Sequence, residues 1–240
     1  MARGKLIVIC GIDSSGKTTQ IKLINEYFNS NNLKYVHYHF PMYGHNQFST
    51  IIANYLKGDF GKIDEVDPLF VANIYAMDRF RFLPELEKAL EENDIVLLDR
   101  YVYSNIAYQC AKYNRPDDIL KMKNWIFEFE FGFLKLPYPD LNIFLNVPTE
   151  VIKKRLKEQR IGKDRDYLQG KQDIHEADLE FQERVKENYI AFMENATNCI
   201  IVNCAYEVGY KTSLDWIILS PEELFKSYKK YLDIILNKQL

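Results

Sequence analysis

The chain has 240 residues, 47% of them hydrophobic and 27% charged, with a formal net charge of −3. That is enough apolar material for the core of one α/β domain, and it excludes a disordered or fibrous chain and a strongly basic nucleic-acid binder. No apolar run approaches the roughly 18–20 residues a membrane span needs, and the first ten residues hold too short an apolar stretch for a signal peptide. The four cysteines, at 10, 110, 199 and 204, make no CxxC or Cys/His metal spacing and read as buried thiols of a cytoplasmic protein.

In chain order, the apolar run Lys5–Cys10 predicts a strand. Gly11-Ile12-Asp13-Ser14-Ser15-Gly16-Lys17-Thr18 follows it and fits GxxxxGK[ST] without deviation. Ile21, Ile24, Tyr27 and Phe28 then recur at helical spacing. Strand, glycine loop and helix are the context in which this motif binds phosphate: backbone N–H groups turn inward, Lys17 reaches the β- and γ-phosphates, and the Thr18 hydroxyl takes a Mg²⁺ site. Asp13 is out of place beside a polyphosphate. A tolerant loop position and a carboxylate facing a substrate hydroxyl are equally good readings of it.

Tyr35–Phe40 predicts a second strand, more alternating and so less central. His37 and His39 lie on it with no third ligand in sequence reach, so they read as a half-exposed strand face. Gly58 to Glu65 is a polar loop. Asp67-Pro68 caps a helix to Phe82 that is apolar on more than one face, as if covered by the core and by a partner subunit. Ile95–Asp99 is an apolar strand ending in an acid, the position that organises Mg²⁺ in phosphate-binding folds, with Arg100 beside it to suit a phosphate. From Trp125 to Phe133 aromatic residues alternate with other types. Period two favours a strand, but Asp117-Asp118 opening the stretch and Pro137 and Pro139 closing it favour a helix. Leu141–Val147 and Cys199–Cys204 predict two more strands, a polar loop spans Arg160 to Lys171, and Pro221 opens a last helix with Leu224, Phe225, Tyr228 and Leu232 on one stripe. Trp216-Ile-Ile-Leu has no assignment. Strands alternating with helical crossovers predict an α/β fold: a mostly parallel five-stranded sheet with helices on both faces, in one domain over 1–240.

Asp99-Arg-Tyr-Val-Tyr-Ser104-Asn105-Ile-Ala-Tyr108-Gln109 resembles the DRYxxSxxAYQ signature of thymidylate kinases, a family of P-loop nucleoside monophosphate kinases. The phosphate loop with its acid at the third position is similar to theirs. So are Phe40-Pro41-Met42-Tyr43, Tyr75-Ala-Met-Asp-Arg79, Leu136-Pro-Tyr-Pro139-Asp140, and the stretch from Asp173-Ile-His-Glu176 to Tyr189. The resemblance runs in order from about residue 5 to 205. It implies transfer of the γ-phosphate of ATP to dTMP, with Mg²⁺, in a homodimer that binds neither nucleic acid nor membrane.

By the resemblance, Gly11 to Thr19 with Lys17, Thr18 and Thr19 would hold ATP, and Arg155 would lie near adenine. Thr18 and Asp99 would hold the metal, and Arg100 would bridge the phosphates of donor and acceptor. Asp13 would take the deoxyribose 3′-hydroxyl, Phe40 and Tyr43 would flank the monophosphate, and Tyr75 would stack on thymine. Arg79 and Asn105 would read its carbonyl and N3 edge, and Tyr108 would lie against C2′. A lid of about residues 155–176 would carry Arg160, Lys163 and Arg165. Because Ser14-Ser15 brings no arginine to the phosphate loop, Arg160 or Arg165 would be the catalytic cation. Two alternatives stand: a deoxynucleoside kinase, which has a carboxylate just after the second strand where this chain has Phe-Pro-Met-Tyr-Gly, and a nucleotide-binding regulator without turnover.

Overall fold

The computed structural model describes residues 3–158, 173–208 and 215–237. The chain opens with β1 (Lys5–Cys10), α1 (Lys17–Ser30), β2 (Tyr35–His39), α2 (Gln47–Leu56), α3 (Pro68–Arg81), α4 (Leu83–Glu92) and β3 (Ile95–Asp99). It continues with α5 (Val102–Cys110), α6 (Pro116–Phe127), a π-helical turn (Glu128–Phe133), β4 (Leu141–Asn146), α7 (Thr149–Glu158), α8 (Ile174–Ala177) and α9 (Leu179–Met193). It closes with β5 (Cys199–Asn203), β6 (Ala205–Val208), β7 (Asp215–Ile218) and α10 (Pro221–Asn237).

The five expected strands form one parallel sheet in the order β2-β3-β1-β4-β5. The three runs that are apolar throughout take the three central places, because only there are both faces covered. All five residues of β3 are buried. The alternating run, β2, is an edge, as its pattern predicts. Register pairs Ile9 with both Asp99 and Ile143. The carboxyl ends of β1 and β3 therefore finish within one residue of each other, with β4 running two residues further, and the phosphate loop leaves the sheet beside Asp99. That crevice is where parallel α/β sheets bind ligands.

Asp67 caps α3 as its sequence predicts, accepting the N–H of Leu69 at 2.6 Å. Val71, Ala72, Ile74 and Ala76 of α3 are buried while Leu69, Phe70 and Phe80 are exposed. The Trp125–Phe133 segment is helical, finishing α6 and running through the π turn, which Leu134 closes by donating to the Phe129 carbonyl at 2.8 Å. The unassigned Trp216 lies on β7, which pairs antiparallel with β6 as a small separate hairpin. The Gly58–Glu65 loop is held by the Glu65 carboxylate, which accepts the Lys62 N–H at 2.8 Å. Helix α10 packs on α1: Tyr228 donates to Gln20 at 2.8 Å, and Gln20 donates to the Pro221 carbonyl at 3.0 Å. The four cysteines are free thiols, three of them buried.

Candidate active site

The phosphate loop turns through two left-handed residues, Ser14 (φ 58°) and Gly16 (φ 93°), before α1 begins at Lys17. At Gly11 a side chain has no room: a Cβ would lie 2.5 Å from Ser15 Oγ. Ile12 has its side chain in the core, so it offers only its backbone to a ligand. Lys17 does not face solvent as its place at a helix start suggests. It is 9% exposed, and its ammonium folds back to donate to the carbonyls of Gly11 and Ile12 at 3.3 and 3.2 Å. Burial, and Arg100 nearby, push its pKa below the ordinary lysine value. Thr18 lines the cavity described below, and Thr19 points to solvent outside its lining.

Asp99 ends β3, and Arg100 follows in a left-handed conformation (φ 68°) that a non-glycine residue rarely adopts. Its N–H is held by the Ile9 carbonyl at 2.9 Å. Its guanidinium turns away from neighbouring Asp99 and pairs with Asp13, donating also to the Tyr108 hydroxyl at 3.4 Å. Tyr108 in turn donates to Asp13 at 3.0 Å. Burial alone would raise the pKa of Asp13; Arg100, Lys17 and the Tyr108 hydrogen bond hold it below the usual carboxylate range. Its main partners within the chain, Arg100 and Tyr108, are thus a cation and a phenol, which neither reading of the loop acid anticipated.

Asp99 is likewise kept ionised against the effect of burial. Its His39 hydrogen bond and the Lys17 charge lower its pKa to about 2. His39 Nδ1 sits 3.2 Å from Oδ2, so this strand histidine supports the acid. The other oxygen, Oδ1, is buried with no hydrogen-bond partner. An ionised carboxylate with an uncommitted oxygen, near the Thr18 hydroxyl, is the hard-oxygen set that suits Mg²⁺ bound partly through phosphates.

These groups line one cavity of about 810 Å³ together with Phe40, Tyr43, Tyr75, Arg79, Asn105 and Tyr108. Asp78 anchors the Phe40–Tyr43 turn, accepting the Met42 N–H at 2.9 Å and the Asn46 amide at 2.7 Å. Arg79 is not a free cation. Its Nε and Nη2 both grip Glu130, at 2.6 Å each, and the Asn105 amide nitrogen donates to Glu130 at 2.8 Å and to the Ala72 carbonyl at 3.0 Å. For a ligand this leaves the remaining Arg79 N–H groups, those of Nη1 among them, and the second lone pair of Asn105 Oδ1, whose first takes the Gln109 amide at 3.3 Å. On the sugar side, Gln182 reaches Asp13 at 3.4 Å and the His175 carbonyl at 2.8 Å. The Tyr55 hydroxyl is hydrogen-bonded to His175 Nε2 at 2.9 Å, and Lys112 donates to that hydroxyl at 2.8 Å.

Sequence reasoning missed Asp78, Glu130, His175 and Gln182 as site residues. The one signal for Glu130 was an acid wedged between Phe129 and Phe131. Arg155 falls on α7, but its side chain is not among those described. Arg160, Lys163 and Arg165, and most of the 155–176 lid, lie outside the described residues.

The family model for thymidylate kinase matches residues 9–210, most of the chain. The chain belongs to the thymidylate kinase family. The Mycobacterium tuberculosis thymidylate kinase is 31% identical over 184 residues, covering 77% of this chain and 83% of that protein. The Plasmodium falciparum thymidylate kinase is 33% identical over 153 residues, covering 64% of this chain and 66% of that protein. Among solved structures, the Candida albicans thymidylate kinase superposes with a TM-score of 0.70 at 24% identity, over 99% of this chain and 94% of that one. The Ehrlichia chaffeensis thymidylate kinase does so at 0.60 and 21%, over 96% of this chain and 100% of that one. At those identities the structural likeness concerns the fold, and the fold is the P-loop α/β fold expected from the sequence. The reaction is the ATP-dependent phosphorylation of dTMP to dTDP.

Proposed function

We propose that the 810 Å³ cavity holds both substrates, ATP phosphates on the loop from Gly11 to Thr19 and dTMP between Phe40, Tyr43, Tyr75, Arg79, Asn105 and Tyr108. The observation that carries this reading is that Lys17 and Thr18 share one cavity with Tyr75 and Arg79, and Arg100 lies in that cavity too. An acceptor phosphate is already ionised, so no protein base is needed; catalysis rests on alignment and charge neutralisation. Lys17 lets go of its loop carbonyls to meet the donor phosphates. Arg100 reaches the phosphates of both nucleotides, steadied by Asp13. Asp13 and Tyr108 meet the deoxyribose, Asp13 at its 3′-hydroxyl and Tyr108 at C2′. Thr18 and Asp99 hold Mg²⁺, which when bound neutralises phosphate oxygens. Arg155 lies near adenine, and Arg160 or Arg165 brings the remaining cation from the lid. The apolar exposed side of α3 supports a homodimer. No helix among the described residues is long and apolar enough to cross a membrane.

A coupled ADP-release assay across dTMP, dUMP, thymidine, UMP and AMP tests this. Turnover should be highest with dTMP, next with dUMP, and far lower with UMP, AMP and thymidine. Equal rates with thymidine would favour the deoxynucleoside kinase reading, and ATP binding without turnover the regulator.

A further inference from the structure

Behind the cavity wall runs a chain of buried polar groups whose direction is set at one end. Glu130, on the π turn, is completely buried, and an ionised carboxylate only accepts hydrogen bonds. Asn105 must therefore present its NH₂ to Glu130, and both of its N–H groups are consumed, by Glu130 at 2.8 Å and by the Ala72 carbonyl at 3.0 Å. Its Oδ1 consequently faces Gln109, whose NH₂ donates to it at 3.3 Å. Gln109, which also lines the cavity, is left with its Oε1 buried and unpartnered. On the other side, the grip of Glu130 on Nε and Nη2 of Arg79 leaves Nη1 among the uncommitted donors.

We propose that Glu130 is a positioning residue for base selection: it aims Arg79 and, with the Ala72 carbonyl, holds the Asn105 amide in one direction, so that this end of the cavity accepts a base with a carbonyl beside a ring N–H and rejects one with an amino group beside a bare ring nitrogen. The inference rests on the reading above that the base lies against Arg79 and Asn105. A thymine or uracil edge would meet a donor in Arg79 and an acceptor in Asn105, whose direction the buried Gln109 amide follows. A cytosine edge would set its ring nitrogen against an acceptor and its amino group against a guanidinium, leaving buried groups unpaired on both sides. Replacing Glu130 by glutamine keeps the shape but gives the chain an end that can donate or accept. Asn105 is then held by the Ala72 carbonyl alone, and neither the two amides nor the Arg79 guanidinium is any longer held from the Glu130 side.

The test compares kcat/KM for dTMP, dCMP and dTMP methylated at N3, in wild type and Glu130→Gln, with ATP KM measured alongside. Wild type should prefer dTMP over both analogues by roughly 100-fold or more. In Glu130→Gln the preference for dTMP over dCMP should shrink by about tenfold or more, with the ATP KM unchanged. A folded Glu130→Gln enzyme that keeps the wild-type ratio overturns the proposal. If that variant does not fold, Arg79→Gln/Glu130→Gln removes both buried charges together; retention of the wild-type ratio there also overturns it. Should wild type itself fail to separate dTMP from dCMP and the N3-methyl analogue, the base placement is what fails, and the proposal falls with its premise.

Discussion

Lys17 reaches back over its own loop to two carbonyls, a position it holds only when no anion competes for its three N–H groups. Those bonds are already charge-assisted on the donor side; a phosphate chain would add a full negative charge opposite the ammonium, which a carbonyl dipole lacks. Lys17→Ala should therefore reduce ADP release to below about a tenth of wild type, a conservative figure for a cation at a transferring phosphate, while circular dichroism shows a folded protein. Activity above that level would remove the loop from the chemistry. Tyr108 is placed differently. Its ring lies 5.3 Å from the Arg100 guanidinium and its hydroxyl ties into Asp13, so with the sugar placed as proposed it would form a wall beside it and leave little space for a 2′-hydroxyl. Tyr108→Ala should narrow the gap between dUMP and UMP chiefly by admitting UMP, read as kcat/KM for each. A gap that widens, or narrows only because dUMP turns over less, would show that Tyr108 does not police the sugar.

At the scale of elements, α8 and α9 bring His175 and Gln182 to the Asp13–Tyr108 side of the pocket. His175 is buried against the rings of Tyr55, Tyr108 and Phe181. Burial, aided by the charges of Lys112 and Arg100, lowers its pKa from 6.5 to about 3. The unfolded chain takes up this proton near pH 6.5 and the folded chain does not, so stability from this group is full above pH 6.5 and is lost as pH falls towards 3. At roughly 1.4 kcal/mol per pH unit, about 2 kcal/mol of that loss falls between pH 7 and pH 5. His175→Gln keeps an acceptor for Tyr55 but cannot titrate. Urea unfolding at pH 7 and pH 5 should show a smaller loss for the variant than for wild type, and equal losses would mean that the imidazole is not the titrating group. The five strands were legible because burial on both faces writes continuous apolar runs, and the phosphate loop because its glycines have a geometric reason. The π turn was not, since a period of two is also what two helical ladders produce. Trp125, Phe129 and Phe133 stack at four-residue steps with centroids 4.8 and 5.8 Å apart, and Phe127 and Phe131 pair at 4.9 Å on the intervening positions. Glu130 and Gln182 were invisible for another reason. A residue that acts by holding a partner far along the chain leaves no local pattern.

Across the whole molecule, two apolar surfaces remain to be accounted for. Exposed Phe60, Leu69, Phe70 and Phe80 gather on and beside α3, with Phe60 and Phe70 rings 6.4 Å apart. If this side joins two copies, Phe70→Glu should convert a dimer to a monomer in light scattering without lowering the melting temperature of the monomer fold. A variant that stays dimeric places the interface elsewhere. The hairpin β6–β7 exposes Tyr206, Val208, Ile217 and Ile218 as well; nothing in the site depends on it. The buried Arg79–Glu130 pair has a consequence of another kind, for how the chain evolves. Losing one partner of such a pair costs about 3–5 kcal/mol, whereas exchanging both for well-packed neutral residues is close to neutral. Positions 79 and 130 lie on α3 and on the π turn, 51 residues apart, yet mutational drift can cross between viable sequences only by changing them together. In a library randomised at both positions and sorted for folded protein rather than for activity, the members recovered should be correlated pairs: an acid at 130 only with a base at 79, and neutral residues at both or at neither.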